Sequence, residues 1–366
     1  MKIVVIGTRG IPDILGGVET HCEELFPRIA SMGHDVTVIR RTPYVTDDNR
    51  ISSFKGVKLI DVPAPRKKSL EAILHTLRAI IKARSLKPDI LHVHAIGPAI
   101  MIPLARLLGM KVVMTNHGPD YDRQKWGRIA KTVLRTGERM GTRYSNAVIV
   151  ISTVISDILR TKYGRTDTDL IFNGVNRPEK SSSKSWLEKW GVGDRPYIVA
   201  IGRFVKEKGF HDLIEAYSKS DLKGKYALVI AGDTDHEDDY SRALKKQAHD
   251  AGVVLTGFIK GEKLNQLMTN ASLFVMPSYH EGLPIALLEA MSYDLDVVVS
   301  DIPANRLGIL NSGDFFPVGD TDALADAMKR KTTAARTPRT YDLSAYDWDK
   351  IASQTVEVYK RVIKKV

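Results

Sequence analysis

Short apolar runs rich in β-branched residues alternate with amphipathic segments along most of the chain. In the first half the runs are "KIVVIG", "DVTVIRR", "GVKLIDVP", "DILHVHA", "KVVMTNHG" and "AVIVIS". The segment after the first run places its apolar residues on one helical face, namely Val18, Cys22, Leu25, Phe26 and Ile29. Strands that alternate with amphipathic helices build a parallel sheet covered by helices on both faces. The first half therefore predicts a doubly wound α/β domain.

A second series of the same kind follows a stretch with the composition of a linker. "NGVNRPEKSSSKSWLEKWGVGDRP" is rich in Ser, Gly, Pro and charged residues, and strands then resume with "YIVAIGRF", "YALVIAGD", "VVLTGF", "ASLFVMPS" and "DVVVSD". The closing "YDWDKIASQTVEVYKRVIKKV" predicts one long helix with Trp348, Ile351, Val356, Tyr359 and Val362 as its apolar contacts. A chain of 366 residues exceeds one ordinary core. We predict two Rossmann-like α/β domains over 1–175 and 176–342, followed by a helix within 343–366.

Cysteine content and hydropathy restrict the cellular compartment. The single cysteine, Cys22, excludes an internal disulfide and a cysteine-rich zinc site, so the reducing cytoplasm is the expected location. The apolar run that opens the chain is too short for a signal peptide and is interpreted as the first strand. No later stretch offers the ~20 uninterrupted apolar residues that a membrane-spanning helix needs.

The formal charge of +11 indicates an anionic partner, and nucleic acid, an anionic membrane surface and a phosphate-bearing substrate would each fit. The basic residues are dispersed and no nucleic-acid-binding motif is present, so nucleic acid is not expected. The densest basic region, segment 65–87, combines an apolar helical face with Lys67, Lys68, Arg78, Lys82, Arg84 and Lys87. We interpret it either as a peripheral contact with the anionic inner face of the plasma membrane or as a solvated helix that covers the sheet.

The loop after the first strand lacks the common nucleotide-binding signatures. "GTRGIPDILGGVE" is neither G-x-G-x-x-G nor a Walker A loop, which argues against a dehydrogenase and a P-loop kinase. Gly16 and Gly17 instead open a helix. Glycines at a helix N-terminus let a ligand approach the backbone, where unpaired N–H groups bind anionic oxygen. The pair indicates a phosphate contact, and a simple turn is the alternative interpretation.

The second half brings cations and acids to strand ends. "IGRFVKEKGF" places Arg203 and Lys208 in a loop between a strand and a helix, a combination that suits a pyrophosphate. In "YHEGLPIALLEAM" we predict Pro284 as the first residue of a helix, so that Glu281 lies in the loop and Glu289 within the helix.

The two acids are separated by a site suited to phosphate. The amides of Gly282 and Leu283 lie at the positive end of the predicted helix. A carboxylate inside the helix can accept hydrogen bonds from the vicinal hydroxyls of a ribose, and one in the loop can do the same for another sugar. Together these residues predict a site that spans a nucleotide diphosphate sugar.

In these motifs the chain resembles the family-4 retaining glycosyltransferases with the GT-B fold. The resemblance is carried, in the family's order and spacing, by "GGVE", "FNGV", "GRFVKEKG", "EGLPIALLE" and "YDWDKIASQTVEVYKRV". It covers essentially the whole chain. It implies two Rossmann-like domains that face each other across a cleft, the first for the acceptor and the second for the nucleotide-sugar donor, with the C-terminal helix crossing back to the first. "GTRGIPDILGGVETHCEEL" is most similar to members that build cell-surface polysaccharides, some of them rhamnosyltransferases.

The resemblance implies a glycosyltransferase of the hexosyltransferase type (EC 2.4). The enzyme would move a sugar from a UDP-, GDP- or dTDP-linked donor to a polysaccharide, glycolipid or lipid-linked acceptor with retention of configuration. No metal and no cofactor are expected. The alternatives are another nucleotide-sugar enzyme, such as an epimerase, and a non-catalytic binder of nucleotide or nucleic acid.

Roles are carried over by position. Arg203 and Lys208 would hold the donor pyrophosphate and stabilise the departing nucleotide diphosphate. Glu281 would bind the donor sugar and Glu289 the ribose, and His117 in "TNHGPD" would orient or polarise the sugar. His117, Arg203, Lys208 and Glu281 are the expected catalytic residues. The other expected donor contacts are Gly16, Gly17, Phe258, Ile259, Gly282, Leu283 and Glu289, with Phe258 and Ile259 beside the base.

Two further patterns receive a structural interpretation. His92 and His94 in "LHVHA" are expected to point to opposite faces of a strand and therefore not to share a metal ion. Asp233 and Asp235 in "GDTDHEDD" follow a strand and precede an acidic helix start, and this interpretation is preferred to a metal-binding D-x-D.

The loop "IPANRLGIL" departs from the resemblance. Many relatives carry Gly-Gly followed by Glu at this position, where this chain has Pro303, Ala304 and Leu307. The identity of the donor is therefore not carried over.

Overall fold

The computed structural model describes residues 1–14, 16–65, 68–122, 127–234, 237–333 and 339–364. They form two compact units. The first unit is Met1–Gly174 together with Ala345–Val366, and the second unit is Val175–Ser344.

Strands and helices alternate through residue 174. The strands are β1 (Lys2–Ile6), β2 (Asp35–Arg41), β3 (Ser53–Phe54), β4 (Val57–Val62), β5 (Ile90–His94), β6 (Val112–Asn116), β7 (Ala147–Val150) and β8 (Thr168–Leu170). The helices are α1 (Gly17–Ser31), α2 (Lys68–Ser85), α3 (Ile96–Ala99), α4 (Ile102–Leu107), α5 (Arg128–Tyr144) and α6 (Thr153–Tyr163).

The second unit repeats the alternation, and the last helix follows it. Its strands are β9 (Tyr197–Ile201), β10 (Ala227–Ala231), β11 (Val254–Gly257), β12 (Leu273–Met276), β13 (Val297–Ser300) and β14 (Phe315–Phe316). Its helices are α7 (Ser185–Lys189), α8 (Phe210–Lys219), α9 (Asp239–Ala251), α10 (Glu262–Thr269), α11 (Ile285–Ser292) and α12 (Thr321–Thr333), and α13 (Trp348–Lys364) ends the described chain.

Each unit contains one sheet. Over the residues that the structure describes, the strand order is β3-β4-β2-β1-β5-β6-β7-β8 in the first unit and β11-β10-β9-β12-β13-β14 in the second. Neighbouring strands pair in parallel, except β3 with β4. Two Rossmann-like α/β domains are thus confirmed.

Alternate residues of the first strand pack on opposite faces of its sheet. Ile3 and Val5 join a core with α1 and α13, whereas Val4 and Ile6 join a second core with α2, α3 and α4. Because both faces of the sheet are covered, the strand consists of an unbroken run of apolar residues.

Helix α13 belongs to the first unit although it follows the second in the chain. The five apolar residues predicted as its contacts are all buried, namely Trp348, Ile351, Val356, Tyr359 and Val362. They pack against Leu25 and Phe26 of α1 in the same core. The C-terminal helix therefore completes the first domain, as the predicted fold requires.

Helix α2 occupies most of segment 65–87. Its Ala79, Ile80 and Ala83 lie in the core of the first unit, while Ile81 is 59% exposed. This is the packing of a helix that covers a sheet. Lys67 and the side chains of Lys68 and Leu70 lie outside the described residues.

The described helices include none that is both long enough and apolar enough to span a bilayer.

Strand order reverses at one place in each sheet. In the first unit the chain builds outwards from β1 to β2 and β4, then returns to β5 on the other side of β1. In the second unit the same reversal lies between β9 and β12. Ligands of doubly wound sheets bind at such a switch point, outside the carboxyl ends of the strands. The loops after these four strands are therefore the first places to look for a site.

Candidate active site

An ion pair links the two loops at the switch point of the second unit. Lys208 follows β9 and Glu281 follows β12, and Lys208 Nζ lies 2.5 Å from Glu281 Oε1. The lysine side chain is 21% exposed and the glutamate side chain 10%. Two residues of the predicted catalytic set, 73 positions apart, are thus in direct contact.

The same two loops also touch through their backbones. Gly209 has a φ of 66°, and a Cβ added there would lie 2.1 Å from the Pro277 carbonyl oxygen. The amide of Tyr279 donates to the Glu207 carbonyl at 2.8 Å. Only a glycine at position 209 permits this approach in this backbone conformation.

A side-chain hydrogen bond from Tyr279 links the loop after β12 to helix α8. Its hydroxyl donates to Asp212 Oδ2 at 2.7 Å. Partial burial and the Asp212 carboxylate raise the pKa of Tyr279 to about 12, so the hydroxyl keeps its proton at neutral pH. The loop that carries Glu281 is thereby held at both its backbone and a side chain.

Glu281 and Glu289 lie on different elements. Helix α11 begins at Ile285, with Pro284 as its N-cap at φ −78° and ψ 107°. The predicted start at Pro284 is one residue too early, because this extended ψ keeps the proline outside the helix. Glu281 lies in the loop before the helix, and Glu289 lies within the helix.

The other residues of the second unit that are predicted to contact a donor lie at the same edge of the sheet. Arg203 is partly exposed in the loop after β9, and Gly282 is partly exposed and Leu283 buried before α11. Phe258, which is 48% exposed, and the buried Ile259 follow β11. Strand β11 is two strands away from β9, which corresponds to about 10 Å at ordinary strand spacing. A ribose and its base can span that distance.

The acidic stretch after β10 has structural partners. Asp233 pairs with Lys245 at 3.1 Å, and Asp238 caps α9 by accepting from the Ser241 amide at 2.8 Å. Asp235 lies outside the described residues. The acidic helix start is thus present in Asp238.

The atypical loop "IPANRLGIL" follows β13. Pro303–Asn305 form a short 3-10 helix, and Asn305 Nδ2 donates to the Ser300 carbonyl at 2.9 Å. Arg306 pairs with Asp301 at 2.7 Å. These contacts stabilise the loop at the end of β13, the strand that neighbours β12.

In the first unit, the glycine loop after β1 is held by a buried glutamate. Gly16 caps α1 with a φ of 147°, and a Cβ there would meet Glu19 Oε2 at 2.1 Å. Glu19 accepts from the Thr8 hydroxyl at 3.2 Å and from the Arg9 amide at 3.0 Å. Among the described residues, a Cβ at Gly17 would have no heavy atom within 4 Å, which leaves the backbone accessible to a ligand on their side.

Three histidines meet at the other side of this switch point. His94 ends β5 and His117 follows β6, and His94 Nδ1 lies 3.0 Å from His117 Nε2. His21 of α1 lies beside both, so that one ring nitrogen of each histidine falls within 4.8 Å of the others. His21 and His94 are buried, and His117 is partly exposed.

The expectation that His92 and His94 point to opposite faces is wrong. Side chains two positions apart on a strand share a face. The two rings lie side by side, with centroids 4.2 Å apart. His92 hydrogen-bonds the Tyr359 hydroxyl at 2.6 Å and the Thr115 hydroxyl at 2.7 Å, so it is a structural residue that links α13 to the sheet.

These three histidines and the neighbouring His92 are all neutral at physiological pH. Burial lowers the pKa of His21 to about 4 and that of His92 to about 3. Burial and the neighbouring histidines hold the pKa of His94 and of His117 well below the usual range. His117 can therefore exchange hydrogen bonds with a ligand as a neutral imidazole.

Sequence reasoning missed several residues around these sites. Glu19 was visible only as the last letter of "GGVE", and Tyr279 as the first of "YHEGLPIALLEAM". His21 had no local signal, because its partners His94, His117 and Asn173 are distant in the chain.

Two family models match the chain. Residues 15–178 match Glycosyltransferase Family 4, and residues 182–340 match Glycosyl transferases group 1. The matches fall on successive halves of the chain.

Relatives and solved structures agree with this assignment. An uncharacterised glycosyltransferase of Methanocaldococcus jannaschii is 26% identical over 386 aligned positions, which cover 98% of each protein. The sucrose-phosphate synthase of Thermosynechococcus elongatus superposes with a TM-score of 0.82 at 20% identity over 100% of both chains. Anabaena HepE, solved in complex with UDP and glucose, superposes with a TM-score of 0.78 at 19% identity over 99% of this chain and 100% of that one. These superpositions identify the fold as GT-B.

Proposed function

The chain belongs to the GT-B glycosyltransferases, with a Family 4 first half and a group 1 second half, and on this premise we propose its donor, acceptor and chemistry. The enzyme transfers a sugar from a nucleotide diphosphate sugar to a hydroxyl of a polysaccharide, glycolipid or lipid-linked acceptor. Configuration at the anomeric carbon is retained, and no metal or cofactor takes part.

The ion pair between Lys208 and Glu281 is the observation that carries the proposal. It sets one cation and one carboxylate side by side at the switch point, where ligands of such sheets bind. An ammonium group has three donors, so Lys208 can contact Glu281 and a phosphate oxygen together. The carboxylate beside it can accept from hydroxyls of the attached sugar.

Negative charge builds on the nucleotide diphosphate as it leaves the sugar. Arg203 and Lys208 follow the same strand and are positioned to stabilise that charge, a form of catalysis that depends on preorganised cations. The amides of Gly282 and Leu283 precede α11 and add to the positive potential. Glu289 binds the ribose, and Phe258 and Ile259 lie beside the base.

The first unit contributes acceptor binding and the predicted contacts of Gly17 and His117. Gly17 leaves its backbone open to a ligand, and neutral His117 orients a sugar hydroxyl without adding charge. The complex of Anabaena HepE with UDP and glucose supports a nucleotide-linked sugar as the donor class.

A peripheral membrane contact through segment 65–87 is a secondary proposal. The outward side chains of α2 include Arg78, Lys82 and Arg84. Flotation of the protein with anionic and with neutral liposomes tests it, and equal flotation in both would contradict it.

The donor is found with a panel of UDP-, GDP- and dTDP-linked sugars. Each is scored by thermal protection of the protein and by slow release of the nucleotide diphosphate without an acceptor. We expect one donor group to give both signals, and Lys208→Ala and Glu289→Ala to lose them. If both variants used every accepted donor as well as the wild type, the assigned site would be wrong.

A further inference from the structure

Three histidines of the first unit, here called the histidine cluster, offer ring nitrogens that the proposed sugar transfer does not use. His21, His94 and His117 come from α1, β5 and the loop after β6, and each places one ring nitrogen within 4.8 Å of the others. The buried ring nitrogen His21 Nε2 has no hydrogen-bond partner among the described residues. Buried polar atoms are rarely left without partners.

The hydrogen bonds decide which nitrogen of His21 is available. Its Nδ1 lies 2.8 Å from Asn173 Oδ1, and an amide oxygen can only accept. His21 therefore donates from Nδ1, which leaves a lone pair on its unpartnered Nε2. Metal-binding histidines are commonly held in this way, by a second-shell oxygen on the far ring nitrogen.

His94 and His117 supply the second and third nitrogens. Their Nδ1 and Nε2 atoms are 3.0 Å apart and share one proton. When the donating ring shifts this proton to its other ring nitrogen, both facing nitrogens offer lone pairs and a metal ion can bind between them as it would between two neutral imidazoles. Zinc–nitrogen bonds of 2.0–2.1 Å in a tetrahedral site separate the ligand atoms by about 3.3 Å. The ligand atoms lie within 4.8 Å of one another, so no pair has to approach by more than about 1.5 Å to reach that spacing.

We propose that His21, His94 and His117 bind a divalent metal ion of the zinc class, and that its binding turns the enzyme off. Three imidazoles without a carboxylate select Zn²⁺, Ni²⁺ or Cu²⁺ over Mg²⁺, Ca²⁺ or Mn²⁺. His117 is partly exposed, so the fourth coordination position is open to water. The inhibition rests on the proposed function, because it follows from withdrawing His117 from the sugar. The binding itself does not.

Binding is measured on the metal-free full chain without a histidine tag and without sugar nucleotide. Zn²⁺ is titrated by calorimetry, and Co²⁺ by its visible absorption. We expect one ion per chain. His21→Gln should weaken binding at least ~100-fold, and Asn173→Ala about 10- to 100-fold through the lost second-shell contact. His249→Gln, a control in the second unit with a 90% exposed side chain, should bind like the wild type.

Equal affinity in the wild type and in His21→Gln would overturn the site. Circular dichroism and thermal unfolding without metal establish that each variant is folded, and His94→Gln provides the same comparison if His21→Gln does not fold.

Inhibition is measured as donor hydrolysis with and without Zn²⁺, each variant against its own metal-free rate. We expect Zn²⁺ to inhibit the wild type, a chelator to reverse the effect, and His21→Gln to be resistant. Tight binding without inhibition would overturn the switch. Tight binding with no hydrolysis of any donor would overturn the proposed function and leave the metal site standing.

Discussion

Lys208 and Glu281 restrain each other at the position where the donor is expected to bind. Their 2.5 Å contact holds a flexible lysine side chain in one geometry, so less conformational freedom is lost when a phosphate arrives. The first unit achieves a similar restraint with neutral groups. His94 holds His117 by a hydrogen bond, and the ring of His92 lies against that of His94 while His92 is bonded to Tyr359.

Buried neutral histidines predict that the first unit loses stability in mild acid. The pKa of His21 is lowered to about 4 and that of His92 to about 3, whereas an unfolded histidine titrates near 6.5. Between these values the unfolded chain binds protons that the folded unit does not, so stability falls as the pH falls below about 6.5. Each such histidine lowers the free energy of unfolding by about 1.4 kcal/mol for each pH unit in this range.

Urea unfolding of the first unit between about pH 7.5 and about pH 5 measures this loss. His21→Gln removes one titrating group and should give a shallower dependence. A free energy of unfolding that stays constant over this range would contradict the buried, neutral state of the cluster.

The loops after β9 and β12 act as one element of the site. Gly209 lets the first loop lie against the Pro277 carbonyl, and the Tyr279 amide bonds back to Glu207. The ion pair spans the same two loops, so their separation sets the distance between its partners. The backbone contact and the site geometry therefore depend on each other.

Gly209→Ala tests this coupling, with Gly252→Ala as the matched control. Both glycines have a positive φ, 66° and 71°, but an added Cβ meets the Pro277 oxygen at 2.1 Å only at Gly209. We expect a loss of about 1 kcal/mol for Gly252→Ala, from backbone conformation alone. Gly209→Ala should cost at least about 3 kcal/mol, because backbone must also move.

Donor hydrolysis separates the two variants further. Gly252→Ala should keep the wild-type rate, and Gly209→Ala should lose most of it at temperatures where it remains folded. Equal rates for the two variants would show that the loop contact does not position the site.

At the scale of the whole molecule, the last helix of the chain belongs to the first unit and not to the second unit, which it follows. Helix α13 comes after the second unit but fills the core of the first, where Tyr359 is fully buried against the sheet. A change in α13 should therefore affect the first unit and leave the proposed donor-binding residues of the second unit unchanged.

Tyr359→Phe and Tyr359→Ala separate the two contributions of this side chain. Tyr359→Phe removes only the hydrogen bond to His92 and should lower the free energy of unfolding by about 1 kcal/mol. Ala also leaves a cavity and should cost about 3–5 kcal/mol. Chemical denaturation gives the free energies. Calorimetry on the folded variants should show nucleotide affinity equal to wild type, and a loss that matched the stability loss would contradict the division into units.

The fold could be predicted because its signals are local and repeated. Each strand is a short apolar run and each helix has its own apolar face, so the alternation that begins with "KIVVIG" determines a parallel sheet. The Gly-Leu-Pro break placed Glu281 and Glu289 on different elements, with an error of one residue at the helix start.

Contacts between distant residues could not be predicted in this way. The partners His21 and Asn173 are 152 positions apart, and nothing near either residue indicates the other. The error at His92 and His94 had a different origin, since the period of a strand places residues two apart on the same face. The proximity of those rings could have been predicted from the sequence and was missed.

Nucleoside diphosphate binding to Lys208→Ala and Lys206→Ala tests the central claim most directly. Lys206 is exposed and lies in the same loop, so the two variants carry the same change of charge. Calorimetry with UDP, GDP and dTDP should show wild-type affinity for the preferred nucleotide in Lys206→Ala. Lys208→Ala should lose about 10- to 100-fold, the effect of removing a charged hydrogen bond. Equal affinity in the wild type and both variants would contradict a donor site at the β9–β12 switch point.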